Sequence, residues 1–251
     1  MKKLTILILV CLVLSGFSIA QVQNTVIGRR GSSGGVTPDT ITLDDLSDGN
    51  GNASQTTTVE HVVADQPNRI LFVCTGSEDN DNPSDNVVTG VTFNGDSLTL
   101  VQEGSYYTSS RNYGSMWYML APDVGTHNVV ATYAGVTINS SVAVLNFYNV
   151  NQAVIDDSDE DTGTRTTPNV TLTTAADNSW GVSCISGWSG TRDVASWDYS
   201  ETERQNISNN LRLVTATYTD VIAGNNTTGC TWSTQSTDCE FISACFQPSE
   251  S

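Results

Sequence analysis

Acidic side chains crowd two short stretches of this chain, and hard oxygen donors at that density point to a bound cation. Glu78, Asp79, Asp81 and Asp85 alternate with asparagines in one stretch, and Asp156, Asp157, Asp159 and Asp161 form the other. Calcium takes about six to eight oxygens from carboxylates, amides and backbone carbonyls, so both runs are candidate Ca2+ sites. Neither has the spacing of an EF-hand loop, and like charges also simply keep a solvated loop extended. Aromatic side chains offer a second chemistry. Tyr106, Tyr107 and Tyr113 fall in a polar stretch beside Arg111, and Trp188, Trp197 and Tyr199 fall in another. Rings flanked by Asn, Asp and Ser can stack on the apolar face of a sugar, which makes these six the candidate glycan contacts. Amphipathic rings equally seal the apolar edge of a fold. Trp117 and Trp232 stand within strand-like runs and are expected in the core.

Groupings for catalysis are scarce. A serine triad would need His61 or His127, with partners that the sequence does not identify. A glycan hydrolase needs two carboxylates at a set separation across a cleft, and with 27 Asp and Glu no pair can be singled out. Zinc is disfavoured, since the chain has 2 histidines and no Cys-x-x-Cys. The chain is read as non-enzymatic. Its formal net charge is −17, and its only lysines, Lys2 and Lys3, sit at the extreme N-terminus. Such a surface repels nucleic acid and attracts cations.

Lys2 and Lys3 followed by the apolar run 4–14 and by Ser18-Ile19-Ala20 have the grammar of a cleaved export signal over residues 1–20. The run is shorter than the roughly 20 residues that a membrane span needs, so no span is expected after cleavage, and a secreted, extracellular protein is expected. Residues 21–54, rich in Gly, Ser and Asn, read as a flexible tether, because little in them can offset the entropy of ordering. An oxidising compartment permits disulfides among Cys74, Cys184, Cys230, Cys239 and Cys245. Cys230 and Cys239 bracket a hairpin-like stretch and are the favoured pair. Cys74 and Cys184 each end a buried strand that follows a polar turn, which makes them a second conceivable pair.

From residue 55 the grammar is that of short strands. Residues 69–74 and 141–148 are apolar on both faces, as in a buried strand. Residues 88–93, Asn94-Gly95 and 97–101 form a hairpin signal, since Asn-Gly accepts positive φ at both turn positions. Further strands are expected at 115–120, 128–133, 170–174, 180–186, 211–218, 231–234 and 240–246. No stretch sustains a helical period. The fold class expected is all-β, a single two-sheet antiparallel β-sandwich over residues 55–247, with a short tail at 248–251.

Three of these segments carry a resemblance: Asn68-Arg69-Ile70-Leu71-Phe72-Val73, the hairpin from Val88 to Thr99, and Met116-Trp117-Tyr118-Met119-Leu120-Ala121-Pro122 with Gly125-Thr126. Together they resemble a β-sandwich module of secreted bacterial and phage structural proteins, whose elements run NRxLxV, VTxVTxxGxxLT and WYxLxPxxGT. The resemblance covers residues 60–247. It implies a jelly-roll-like extracellular module and carries over no catalytic residue. The expected role is structural or adhesive on a cell or virion surface, with a surface glycan or another surface protein as partner. The alternatives are a carbohydrate-binding module assisted by calcium and, more distantly, a glycan hydrolase.

Overall fold

In the computed structural model, residues 38–250 are described apart from 80–81, 83, 107–111, 154, 164–165, 189–192 and 234–238. The strands are β1 (Thr42–Val63), β2 (Ile70–Glu78), β3 (Val88–Phe93), β4 (Asp96–Ser97), β5 (Thr99–Tyr106), β6 (Asn112–Leu120), β7 (Gly125–Tyr148) and β8 (Asp157–Gly163). They continue as β9 (Asn169–Thr174), β10 (Ser179–Trp188), β11 (Val194–Trp197), β12 (Thr202–Asn209), β13 (Leu211–Val221), β14 (Gly224–Trp232) and β15 (Cys239–Phe246). The chain is all-β among the described residues, as the strand-forming composition requires.

The architecture corrects the expectation of a single two-sheet, jelly-roll-like sandwich. There are three sheets: a 7-stranded one in the order β4-β3-β7-β2-β6-β5 with β1 on β7, a 5-stranded one in the order β12-β13-β10-β15-β8, and a 3-stranded one in the order β11-β14-β9. The first is organised by one long ribbon. β1 and β7 pair from Thr42↔Tyr148 to Val63↔Gly125, and the register breaks between Ser54↔Thr137 and Thr56↔Thr132. The ribbon turns a corner there, where Ala53 adopts φ 47°. Beyond the corner, β7 exchanges its second neighbour. Its later half pairs with β2, and its earlier half with β3.

Side chains from both halves, Val129 and Ala131 with Val142 and Val144, meet in one core with Leu71, Val73, Val91 and Phe93. The large sheet is therefore doubled over into two layers. Its inner layer uses the opposite parity, with Ile70, Phe72, Cys74, Leu145 and Phe147, to pack on Val182, Cys184, Leu213, Ile242 and Phe246 of the 5-stranded sheet. That sheet then buries Ile185, Val214 and Phe241 against Val170, Leu172 and Trp232 of the 3-stranded one. Four layers thus enclose three cores. The central strands of the two middle layers, such as β2 and β15, have no solvent face, which is why segments 69–74 and 141–148 are apolar on both sides.

Several boundaries also differ from expectation. Residues 42–54, assigned to a tether, form half of the ribbon; their many small polar residues lie along an edge strand laddered to β7. The segments at 128–133 and 141–148 belong to one strand, β7. The hairpin at Asn94-Gly95 forms with φ 52° and 93°, but its second strand stops at Ser97. Leu98 is buried, and β5 resumes at Thr99 on the far edge of the sheet, beside β6. The tail is tied down by the bridges Pro38↔Glu250 and Val150↔Pro248. The export signal and residues 21–37 lie outside the described residues.

Candidate functional site

The space between the two middle layers changes character along its length. At one end Phe72, Phe147 and Phe246 cluster, with ring centroids 5.2 Å apart for Phe72–Phe246 and for Phe147–Phe246. The disulfide Cys74–Cys184 then ties β2 to β10 across the core. Beyond it, the same inward parity continues into polar residues: Gly76 and Glu78 on β2, Asn112 and Gly114 on β6, Asn139 and Ser141 on β7, Ser186 on β10, and Glu240 on β15.

These residues are as buried as the core, with Glu78 2% exposed, Asn112 0%, Asn139 5%, Ser186 2% and Glu240 1%. Glycines thin the wall between the layers. A Cβ on Gly76 would meet Ser186 Oγ at 2.7 Å, and one on Gly114 would meet the Glu240 Cβ at 3.1 Å.

Glu78 lies opposite Asn112 on one side and opposite Asn139 on the other. Asn139 Nδ2 donates to Glu78 Oε1, while Asn112 Nδ2 donates across the layers to Glu240 Oε2 at 2.5 Å. Glu78 Oε2 meets no donor. At the rim, a Cβ on Gly104 would stand 2.7 Å from Glu160 Oε2, which also meets no donor. Burial pushes the Glu78 carboxyl above its ordinary range, opposed by the Asn139 hydrogen bond and reinforced by Asp79. Burial likewise raises Glu160, helped by Asp159, Asp161 and Glu103. Neither Glu78 nor Glu160 has a cationic partner among the described residues.

No family model matches the chain, and no curated protein matches it. Among solved structures, oxalate decarboxylase from Bacillus subtilis at pH 4.6 is similar at 6% identity and a TM-score of 0.18. That likeness covers 85% of this chain and 77% of the other, and at this score it carries no argument.

The candidate residues of the sequence disperse. Among the described residues of the first acidic run, Glu78 enters the interlayer space. Asp79 is buried, and its Oδ1 accepts the Asn82 amide at 3.1 Å, while Asp85 accepts from Asn82 Nδ2 at 2.9 Å. Asp81 lies outside the described residues. The second run forms strand from Asp157 onward rather than loop, with Asp156 just before it. Its carboxylates accept backbone amides from the free edge of β9 and the turn beyond: Asp161 from Asn169 at 3.2 Å, Asp157 from Thr173 at 2.8 Å and Asp156 from Ala175 at 3.2 Å. Asp159 accepts the amide of Glu160 at 2.9 Å. Among the described residues no three His, Cys, Asp or Glu side chains gather as a metal shell.

The aromatic candidates do not form a platform. Tyr113 is 3% exposed in the doubled-over sheet, with its hydroxyl on Glu103. Trp197 and Tyr199 pack on the third core, where Tyr199 meets Tyr218 edge-on at 5.9 Å. Tyr106 ends β5 and Trp188 ends β10, while Tyr107 lies outside the described residues. Of the two cysteine pairs expected, the favoured one is corrected and the second forms. The bridge formed is Cys74–Cys184, whereas Cys230 and Cys239 face the third core from β14 and β15. Burial pushes the Cys230 thiol strongly up, and Cys239 beside it adds to the shift.

The sequence reading passed over Asn112, Asn139 and Glu240. Their signal was parity: Glu78 follows Ile70, Phe72 and Cys74 at even positions, and Glu240 precedes Ile242, Ala244 and Phe246. A second missed grouping is a row at the ribbon edge, where Ser47 Oγ lies 2.8 Å from His61 Nδ1 and His61 Nε2 lies 2.9 Å from Asn146 Oδ1. That spacing suits a nucleophile and its base. The ring, however, is 1% exposed and wedged between layers edge-on to Phe93, so the row acts as a clamp. On the outer face, an open groove of about 420 Å³ is lined by Glu60, Thr92, Asn94, Thr126, His127 and Asn128. No helix among the described residues is long and apolar enough to cross a membrane.

Proposed function

We propose that this chain is an exported, non-catalytic module with a structural or adhesive role on a cell or virion surface. The observation that supports it best is the Cys74–Cys184 bridge between the middle layers. A buried structural disulfide suits an oxidising compartment, and here it fastens two independently hydrogen-bonded sheets against shear. The leader-like N-terminus and the acidic composition agree with export. Antibody against the purified chain should label intact cells or virions of its source, and labelling confined to the cell interior would overturn the proposal. A panel of polysaccharide, ester and peptide substrates should show no turnover. Hydrolysis abolished by one substitution would overturn the non-catalytic part.

A second reading, contact with a surface glycan, is favoured by the groove beside Asn94 and Asn128. Amides and hydroxyls there can bind sugar hydroxyls without a stacking ring. A glycan array should then give a signal that Asn94→Ala and Asn128→Ala together reduce at least tenfold. Silence on all sugars retires this reading.

A further inference from the structure

We infer that the space behind the Cys74–Cys184 bridge binds a hard divalent cation of the calcium class, held by Glu78 and Glu240 with the amide oxygens of Asn112 and Asn139. This inference stands independently of the surface role proposed above. Its starting point is Glu78, which is 2% exposed, carries an oxygen with no donor and has no cationic partner among the described residues. A buried carboxylate oxygen in that condition is costly unless a charge or a donor answers it.

Among the described residues, the donor set around it is made of oxygen and amide groups. No thiol or imidazole lies in the row, and calcium prefers carboxylate, carbonyl and hydroxyl oxygens where softer metals prefer nitrogen or sulfur. The two asparagines flank Glu78 in the ladder, on either neighbouring strand. A half-turn of a side-chain amide exchanges nitrogen for oxygen without changing shape. Asn139, which donates to Glu78, and Asn112, which donates to Glu240, can therefore each present Oδ1 to an ion instead. Gly76 and Gly114 bring the layers close enough for groups from β2, β6 and β15 to share it. The site differs from the acidic run on β8, whose carboxylates are engaged with β9 amides.

The test uses the full exported chain, stripped with a chelator and then given calcium chloride. Equilibrium dialysis should find about one tightly retained Ca2+ per chain. The thermal midpoint should rise by about 5–10 °C at a concentration about a hundredfold above the dissociation constant. Glu78→Gln should abolish both effects, while Asp157→Asn should leave both in place. Absence of retained calcium in the parent would overturn the inference. So would an equal rise in Glu78→Gln, which would mean screening of surface charge. Should Glu78→Gln fail to fold, Glu240→Gln is read in its place, with the same two outcomes.

Discussion

Ser47, His61, Asn146 and Asp44 form a row in which each hydrogen bond dictates the next. Asp44 can only accept, so Asn146 Nδ2 donates to it at 2.7 Å and turns Oδ1 toward His61. His61 then donates from Nε2, and in the neutral ring Nδ1 accepts from the Ser47 hydroxyl. Burial lowers its pKa below the ordinary 6.5, outweighing the Asn146 bond and the nearby Asp45 and Asp44. Below that ordinary value the unfolded chain binds a proton that the folded chain refuses. His61 therefore contributes full stability above pH 6.5 and loses it as pH falls through the folded value, by at most about 1.4 kcal/mol per pH unit. Burial raises the carboxyls of Asp156, Glu160 and Glu201, and these act with the opposite sign. The informative quantity is hence the difference between the parent and His61→Gln. Melts between pH 7 and 5 should show the parent losing ground to the variant, and parallel curves would refute a neutral buried His61. Gly181 makes a second prediction at this scale. A Cβ there would stand 1.9 Å from Tyr218 Cζ, inside the ring. Gly181→Ala should cost about 3 kcal/mol in denaturant melts, at the upper end for overpacking. Adding Tyr218→Ala should recover part of the loss, a non-additive pair.

At the level of elements, β9 and β8 illustrate how far a sequence can be read. The acidic run at 156–161 was legible as a cluster of oxygen donors, but its task was not. β9 spends one edge on β14, which leaves the amides of Asn169, Thr173 and Ala175 facing β8. Asp157 and Asp161 on β8 and Asp156 just before it reach them, so side chains complete a ladder that backbone does not. Nothing local in the run distinguishes such a ladder from a calcium loop; the difference lies in a strand that pairs with residues 224–229. Asp157→Ala should thus destabilise by about 1 kcal/mol, a typical net value for one hydrogen bond. Amide exchange at Thr173 should speed up while Leu172, paired to β14, stays protected. Equal exchange at the two positions would show that the carboxylate does not cap this edge. The hairpin at Asn94-Gly95 marks the opposite case, where φ requirements within two residues settled the turn and the strand that follows was settled by layer switching at Leu98.

For the whole molecule, strand content was legible from composition, and the number of layers was contained in the segments apolar on both faces. A strand with one solvent face alternates; residues 69–74 and 141–148 do not, and that continuity called for inner layers rather than a two-sheet sandwich. Parity also held the candidate site, since Glu78 and Glu240 stand on core-facing positions. Which sheets stack could not be read, because β1 and β7 meet across more than sixty residues of sequence and fold over at a corner made by ordinary small residues. The disulfide then takes on a definite mechanical meaning. Cys74 and Cys184 are 110 residues apart, and they join a strand of the doubled-over sheet to a strand of the 5-stranded one. Each sheet keeps its own backbone ladder, so side-chain packing, side-chain hydrogen bonds such as Asn112 to Glu240 and this bond resist separation of the middle layers. For a closed loop of that length, chain entropy alone predicts about 4.7 kcal/mol, and typical bridges deliver about 2–4. Cys74→Ala with Cys184→Ala should lower stability by that smaller amount and the thermal midpoint by about 5–15 °C. Pulled from its ends, the parent should gain about 350–400 Å of contour length when reductant is added, the span of the released loop. A midpoint unchanged in the double variant would mean that packing and side-chain hydrogen bonds bind the layers without the bridge. A contour length indifferent to reductant would mean that the bond does not form, and a much smaller gain would place it between other cysteines.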